Sequence, residues 1–306
     1  MITSRWHKLG LLYTPEGKQR HPKLLTHVSN PLAVHLYDDV YRVFYSGRDN
    51  QKRSSVGAVD IDICTHEIIH DHYEPFFVHG EPGTFNADGI SIGNVYESHG
   101  QRYMLYMAWQ TLADGTWRGD VGRLIVHPDA TLSSEFNTPF MGIDAYDAVS
   151  LSYPWVHQAR PDFYQMWYGS TYTWNAGNGE MIHVINYAHS QDGHQWQRAG
   201  LSVPYALNVA QAFSRPTVCV DDHGYHMWFS YRSGTGQRYR IGYAHSTDGV
   251  QWRLDLANSG IDVSSDGWDT DMIEYPYVFE HKNERYMLYN GNGYGATGFG
   301  IAKWQM

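Results

Sequence analysis

A short pattern of alternating aromatic and aliphatic residues recurs five times along the chain and predicts a β-strand in each copy. The copies are Tyr41-Arg-Val-Phe-Tyr45, Tyr103-Met-Leu-Tyr106, Tyr164-Gln-Met-Trp-Tyr168, Tyr225-His-Met-Trp-Phe229 and Tyr286-Met-Leu-Tyr289. The leading tyrosines are 62, 61, 61 and 61 residues apart, so five repeats account for the 306 residues. A repeat of this length predicts a radial or solenoidal architecture in which each unit packs on its neighbours.

Each repeat has the same order of elements. An apolar strand that begins near a proline is followed by a polar turn, the tyrosine-led strand and a third strand. In repeats three and four, Asp192-Gly193 and Asp248-Gly249 indicate hairpins that lead to an outer strand. Three to four strands are the size of a propeller blade, and solenoid units are usually shorter. We therefore predict an all-β, five-bladed β-propeller in one domain, 1–306, with blades at roughly 20–80, 81–140, 141–205, 206–262 and 263–306 plus 1–15.

The N-terminal segment is predicted to complete the last blade. Repeat five ends near Trp304 without an outer strand, and Trp6-His-Lys-Leu-Gly10 matches Trp196-Gln-Arg-Ala-Gly200 of repeat three. A strand from the N-terminus would close the ring and leave only short, protected sheet edges.

Composition narrows the classes of partner. The formal charge of -10 disfavours nucleic acid and anionic membranes, since both require clustered Lys and Arg. Aromatic residues make up 15% of the chain, which suits strands and sugar-stacking surfaces. The two cysteines, Cys64 and Cys219, exclude a disulfide framework, and no apolar run has the length of a signal peptide or membrane helix. We expect a cytoplasmic protein without membrane insertion.

Comparison of the repeats identifies candidate catalytic residues. Two positions before the proline of the first strand, which is Gly93 in the second repeat, stand Ser29, Ser91, Ser152, Ser214 and, in the last repeat, Glu274. Three positions earlier the second and fifth repeats carry Asp88 and Asp271. Neighbouring carboxyl groups shift each other's pKa and can divide the roles of acid and base. We predict that Asp88, Glu274 and Asp271 are catalytic, although Asp88 also fits a turn residue, Asp271 a solvated charge and Glu274 an ion-pair partner of Arg215.

Other polar and aromatic residues near the predicted channel mouth are candidate substrate contacts: Asn30, Arg48, Asp49, Trp109, Asp147, Tyr153, Tyr168, Arg215, Tyr231 and Tyr275.

No cofactor or metal is predicted. The chain has no phosphate-binding loop, dinucleotide fingerprint or Gly-x-Ser-x-Gly motif in the required context. His66, His70 and His72 have possible ligand spacing, but exposed or hydrogen-bonded histidines are the simpler interpretation.

The Tyr-x-Met-Trp strands, the segment Ile241–Trp252 and the proline-led strands resemble the five-bladed propeller glycosidases of glycoside hydrolase families 32, 43, 62, 68, 117 and 130. A resemblance to families 32 and 43 implies that this chain has a catalytic acid on each of the first two blades and a catalytic glutamate on a later blade. Asp88 fits the second place, whereas the first blade offers Ser29 and Asn30. Family 130 implies a looser precedent, a single carboxylic acid with phosphate held by basic residues such as Arg48 and Arg215.

We therefore expect a carbohydrate-active enzyme that cleaves or transfers a glycosyl unit at the channel mouth by carboxylate acid/base catalysis, with carbohydrate as its partner. The alternatives are a phosphate-dependent phosphorylase, a sugar-binding propeller without hydrolytic activity, or a propeller of surface-polysaccharide biosynthesis.

Overall fold

Strands make up most of the structure, which is a computed structural model describing residues 5–234 and 236–305. Over these residues the only helical segments are a 3₁₀ turn, Leu256–Asn258, and one short turn, Asn292–Gly295. In the same part of the chain, no helix has the length and apolar character needed to span a bilayer. The all-β prediction is confirmed.

Twenty strands in the described residues form five consecutive antiparallel units. The N-terminal strand β1 (Arg5–Tyr13) joins the last unit. Unit one contains β2 (Thr26–Tyr37), β3 (Val40–Arg48), β4 (Ser54–Asp62) and β5 (Ile68–Asp71). Unit two contains β6 (Gly89–Ser98), β7 (Gln101–Thr111), β8 (Trp117–Val126) and β9 (Leu132–Ser134).

The remaining units repeat this order. Unit three contains β10 (Leu151–Arg160), β11 (Phe163–Thr173), β12 (Ile182–Ser190) and β13 (Gln197–Leu201). Unit four contains β14 (Ala212–Asp221), β15 (Gly224–Arg232), β16 (Arg240–Ser246) and β17 (Arg253–Leu254). Unit five contains β18 (Glu274–His281), β19 (Glu284–Asn290), β20 (Phe299–Gln305) and β1. One parallel bridge, His183 to Ala212, links units three and four into a continuous ladder.

The first strands of the units form a ring. Each of β2, β6, β10, β14 and β18 contacts the next, and β18 contacts β2. The predicted pairing of the N-terminal segment is present, with Trp6 opposite Trp304 across β1 and β20. The Trp6 ring also packs edge-on against Trp228 of unit four, with 5.3 Å between centroids. These five strands, called inner strands below, surround the centre of the molecule.

A β-bulge interrupts every inner strand at the serine position or, in unit two, one residue after it. The pairing register shifts directly after Ser29, Ile92, Ser152, Ser214 and Glu274. In four units the residue before the proline has a positive φ: Asn30 (56°), Tyr153 (31°), Arg215 (48°) and Tyr275 (53°). Proline has no N–H for the ladder, so the bulge allows it inside a strand. These strands, predicted to begin near the proline, begin two to five residues before it and continue through it.

Candidate active site

A cavity lies at the centre of the ring, among the starts of the inner strands. Its volume is about 310 Å³. In four units the residue at the predicted serine position lines it: Ser29, Ser91, Ser152 and Ser214. In unit five this position holds Glu274, and the next residue, Tyr275, lines the cavity. The bulged strands thus bring the serine position of four units, and the neighbouring Tyr275 of unit five, to one place.

Glu274 is completely buried beside the cavity. Neither carboxyl oxygen has a hydrogen-bond partner among the described residues. Burial raises the pKa of Glu274 well above its ordinary value, while the positive charges of Arg48 and Arg232 act in the opposite direction. The carboxyl group is therefore held in its protonated form to higher pH than an exposed glutamate.

Two arginines line the cavity and differ in their partners. Arg232 donates to Glu180 at 3.1 Å and to the Tyr294 hydroxyl at 3.3 Å, so its charge is paired. Arg48 is half-buried, and no hydrogen bond or ion pair of its guanidinium is found among the described residues. Burial and the Arg48 charge lower the pKa of His27 to about 4, which keeps that neighbour neutral. Arg48 is thus available to bind a ligand.

Aromatic side chains and a neutral histidine form another part of the wall. His183 contacts the Ser152 hydroxyl through Nε2 at 2.6 Å and the Thr171 hydroxyl through Nδ1 at 2.7 Å. Burial lowers the pKa of His183 to about 3, so it stays uncharged. Trp117 lies 5.8 Å from the His183 ring and 4.7 Å from the Trp174 ring, measured between centroids. This wall combines hydroxyl groups with aromatic faces, the mixture of polar and apolar groups typical of small-molecule sites.

The chain has a relative of similar length in Mycobacterium tuberculosis. No family model matches the chain. The protein Rv1502 of Mycobacterium tuberculosis (strain ATCC 25618 / H37Rv) is 39% identical to it over 299 residues, which cover 97% of this chain and 98% of Rv1502. The chain belongs to the Rv1502 family.

Solved structures of glycoside hydrolases share the fold of this Rv1502-family chain. A protein described as a glycoside hydrolase gives a TM-score of 0.73 at 13% identity, covering 98% of this chain and 92% of that one. A second structure comes from work on the GH130 family of mannoside phosphorylases, described as containing glycoside hydrolases that target beta-1,2 mannosidic linkages in Candida mannan. It gives a TM-score of 0.72 at 12% identity and covers 98% of this chain and 94% of its own. At this identity the likeness establishes the fold, and it confirms the resemblance to the propeller glycoside hydrolases.

None of the three predicted catalytic acids of the Rv1502-family chain is among the described residues that line the cavity. Glu274 directly precedes Tyr275, which lines it, and Asp88 bonds through its backbone to Ser54 and Trp109, which also line it. The Asp88 carboxylate is half-buried and accepts the backbone N–H of Thr111 at 2.6 Å. Asp271 is half-exposed and lies 3.3 Å from the Nε of Arg238. No Asp or Glu is among the described residues that line the cavity.

Arg215, a predicted substrate contact, is fully buried below the cavity. Its guanidinium donates to four backbone carbonyls, those of Ile92 (3.2 Å), Tyr275 (2.6 Å), Asn30 (3.2 Å) and Pro31 (2.7 Å). These carbonyls belong to the inner strands of units two, five and one. Arg215 does not pair with Glu274, which was the alternative interpretation. Its guanidinium instead links the inner strands of these three units to β14.

Asp147 and Tyr168, also predicted contacts, form a buried network away from the cavity. Asp147 accepts from the Tyr168 hydroxyl (2.8 Å), the Ser170 hydroxyl (2.6 Å), Asn186 (2.8 Å) and Arg198 (2.7 Å). Both carboxylate oxygens are therefore already used within unit three and its adjoining loop.

The remaining predicted contacts divide into two groups. Asp49 accepts the backbone N–H groups of Gln51 and Arg53 at 2.9 Å and so shapes its own turn, and Tyr231 packs beside Phe229. Neither of the two lines the cavity. Five predicted residues do line it: Asn30, Arg48, Trp109, Tyr153 and Tyr275.

Sequence comparison missed several cavity residues that come from later parts of the units: Trp117, His183, Arg232, Tyr239 and Tyr294. Trp117 and His183 lie at the starts of third strands, β8 and β12. The starts of the third strands occupy equivalent places in the repeats. An alignment of these starts, like that of the inner strands, could have found both residues.

Proposed function

We propose that this protein is a carbohydrate-active enzyme that cleaves or transfers a glycosyl unit in the central cavity, with Glu274 as proton donor. The observation that carries the proposal is the buried Glu274 carboxyl without a hydrogen-bond partner, at a position where the other units have serine. The fold shared with glycoside hydrolases supports the class of substrate.

The environment of Glu274 suits an acid. A general acid must still hold its proton at the working pH, and burial raises the pKa of this carboxyl. Protonated Glu274 can donate to the glycosidic oxygen as the bond to the sugar breaks. An exposed carboxylate with an ordinary pKa is already ionised at neutral pH and could not do so.

The cavity suits a small sugar ligand. Its volume of about 310 Å³ is at the lower end of the range for small-molecule sites, about 300–1,000 Å³. The Asn30 side-chain N–H₂ is buried and has no acceptor among the described residues. Together with the serine hydroxyls, it offers polar groups for sugar hydroxyls, while Trp109 and Trp117 offer faces for stacking.

The five units also suggest an architecture for the whole chain. We take the five units as five blades of one propeller domain spanning 1–306, because the inner strands contact one another in a closed ring and β1 completes unit five.

A panel of aryl glycosides tests the reaction, assayed with and without inorganic phosphate. We expect release of the aryl group by the wild type and a loss of at least about 100-fold in kcat/KM for Glu274→Gln, the usual minimum contribution of a general acid. Asp88→Asn and Asp271→Asn are matched controls, since both also remove a carboxylate. Sugar binding without release in every assay would overturn the enzyme proposal in favour of a binding protein.

A phosphate acceptor is the second candidate, favoured by the unpaired guanidinium of Arg48 in a cavity whose described lining has no carboxylate to activate water. Phosphate is already an anion, so it can attack the sugar without a carboxylate that removes a proton. Turnover that requires phosphate, together with a raised phosphate KM in Arg48→Gln, would identify phosphorolysis. Equal turnover without phosphate would identify hydrolysis.

A further inference from the structure

Three side chains of different ligand types meet at the far end of the inner strands from the cavity. Asp39 lies in the turn after β2, Cys64 follows β4, and His281 ends β18. One ligand atom from each, a carboxylate oxygen, the sulfur and a ring nitrogen, lies within 4.8 Å of the other two. Ser29 stands at the cavity ten residues before Asp39, so roughly 25–30 Å of strand separates the two places.

We propose that Asp39, Cys64 and His281 bind a Zn²⁺ ion, independently of the proposed function. Thiolate, imidazole and carboxylate are the side-chain ligands that zinc takes in proteins. Bonds of about 2.0–2.3 Å in a tetrahedron place ligand atoms roughly 3.3–3.8 Å apart, a spacing that small side-chain rotations reach here. Cys64 is exposed, so water can occupy the fourth position.

The histidine is already oriented for this role. The Tyr41 hydroxyl lies 2.9 Å from Nδ1 of His281, and Nε2 lies 2.5 Å from the Asp39 carboxylate. A hydrogen bond at one ring nitrogen fixes the ring and leaves the other for the metal, as partners of metal-bound histidines do. Tyr41 is buried, so this orientation is rigid.

The turn that carries Cys64 is also fixed. The Asp62 carboxylate accepts the backbone N–H groups of Cys64 and Thr65, both at 2.9 Å. The backbone N–H of Ile63 donates to the carbonyl of Asp39 at 3.0 Å. The two turns of unit one therefore hold their ligand residues side by side.

Lys282 is the competitor of the metal at this site. Its ammonium lies 2.6 Å from one Asp39 oxygen and 2.9 Å from the other. A bound cation must share the carboxylate with this charge or displace it. Removing the charge of Lys282 should therefore strengthen metal binding. If Lys282 and Asp39 formed only a structural ion pair, the same substitution would not strengthen metal binding.

The position suggests what the metal does. Asp39 and Cys64 belong to unit one and His281 to unit five, and the inner strands of these units contact each other where the ring closes. A metal here would link the first and last units. Binding to the folded state alone adds stability by mass action.

The test uses the full chain, stripped with a chelator and titrated with Zn²⁺ alone or Co²⁺ alone. We expect one equivalent to bind, with a sulfur-to-cobalt charge-transfer band and the intense visible bands of tetrahedral Co²⁺. Cys64→Ser should abolish the charge-transfer band, and Cys219→Ser, the matched control, should retain it. We expect Tyr41→Phe to weaken Zn²⁺ binding about 10- to 100-fold, and Lys282→Met to strengthen it.

Binding through scattered histidines is the alternative to exclude. A His70→Asn variant should bind like the wild type, and circular dichroism of each variant verifies folding. A charge-transfer band that survives Cys64→Ser, or the absence of stoichiometric binding by folded wild type, would overturn the site.

Discussion

Glu274 combines two properties that one substitution separates, an ionisable proton and a buried position. Glu274→Gln keeps the shape of the side chain and removes the proton, so we expect activity to be lost while the fold is retained. In the wild type, kcat/KM should fall on the alkaline side as the pH passes the raised pKa of Glu274. The pH profile of the wild type and the single-pH activity of the variant measure these effects.

We also expect Glu274→Gln to change the stability of the protein in a pH-dependent way. Because burial raises the pKa of Glu274, the folded protein holds this proton more tightly than the unfolded chain. The contribution of Glu274 to stability is therefore greatest below the ordinary glutamate pKa and is lost as the pH rises toward the raised value. A glutamine side chain cannot ionise, so the stability of Glu274→Gln relative to wild type should increase from about pH 4 to neutral pH, by up to about 1.4 kcal/mol for each pH unit. Urea unfolding at both values measures this; a pH-independent difference would contradict the assignment.

The sequence revealed Glu274 because four equivalent positions carry serine, so the exception was visible within one chain. Asp88 and Asp271 were selected by the same alignment, but they lie in loops that precede the inner strands. Loop residues have no fixed position across repeats, and spacing alone could not determine where their carboxylates point.

At the scale of the strand pair, the last aromatic residue of the repeated pattern packs over a glycine on the next strand. Tyr45 faces Gly57, Tyr106 faces Gly122 and Phe229 faces Gly242. A Cβ on Gly122 would lie 2.1 Å from the buried Tyr106 ring, and one on Gly57 2.5 Å from Tyr45. The glycines thus make room for the aromatic core of these units, whereas in unit three Tyr168 faces Asn186.

We expect Gly122→Ala to destabilise the protein by about 1–3 kcal/mol, the usual cost of overpacking a core. Gly142→Ala is the control, because its added Cβ would find its nearest neighbour 3.3 Å away in a loop. Urea unfolding of the two variants provides the comparison. Equal stabilities would show that the Tyr106 ring can move aside at no cost.

The strands themselves were predictable because aromatic and aliphatic residues alternate at a constant period. The bulges were not, since a proline within an apolar run usually indicates the start or edge of a strand. Each proline follows a residue in a left-handed or otherwise irregular conformation that propensity does not reveal, as at Tyr153 and Tyr275. Those residues line the cavity, so the irregular backbone lies where the site is.

At the scale of the whole molecule, the period and the matching tryptophan segments sufficed to predict that the N-terminus completes unit five, which the pairing of β1 with β20 confirms. The contacts at the centre were not predictable in this way. They join residues far apart in sequence, such as Arg215 and Asn30, through backbone carbonyls that have no sequence signature.

A substitution of Arg215 distinguishes two roles of this residue, a substrate contact and a structural link between the inner strands. Arg215→Lys keeps a positive charge but cannot reach four carbonyls in the planar arrangement of a guanidinium. Leaving two or more buried acceptors unsatisfied should lower the free energy of unfolding by at least about 2 kcal/mol. Arg238→Lys, at an exposed ion pair with Asp271, should change it by less than about 1 kcal/mol. Urea unfolding measures both, and substrate KM is measured on the folded variants. A raised KM with unchanged stability in Arg215→Lys would instead make Arg215 the substrate contact predicted from the sequence, because a residue that only connects strands alters binding through the loss of the fold.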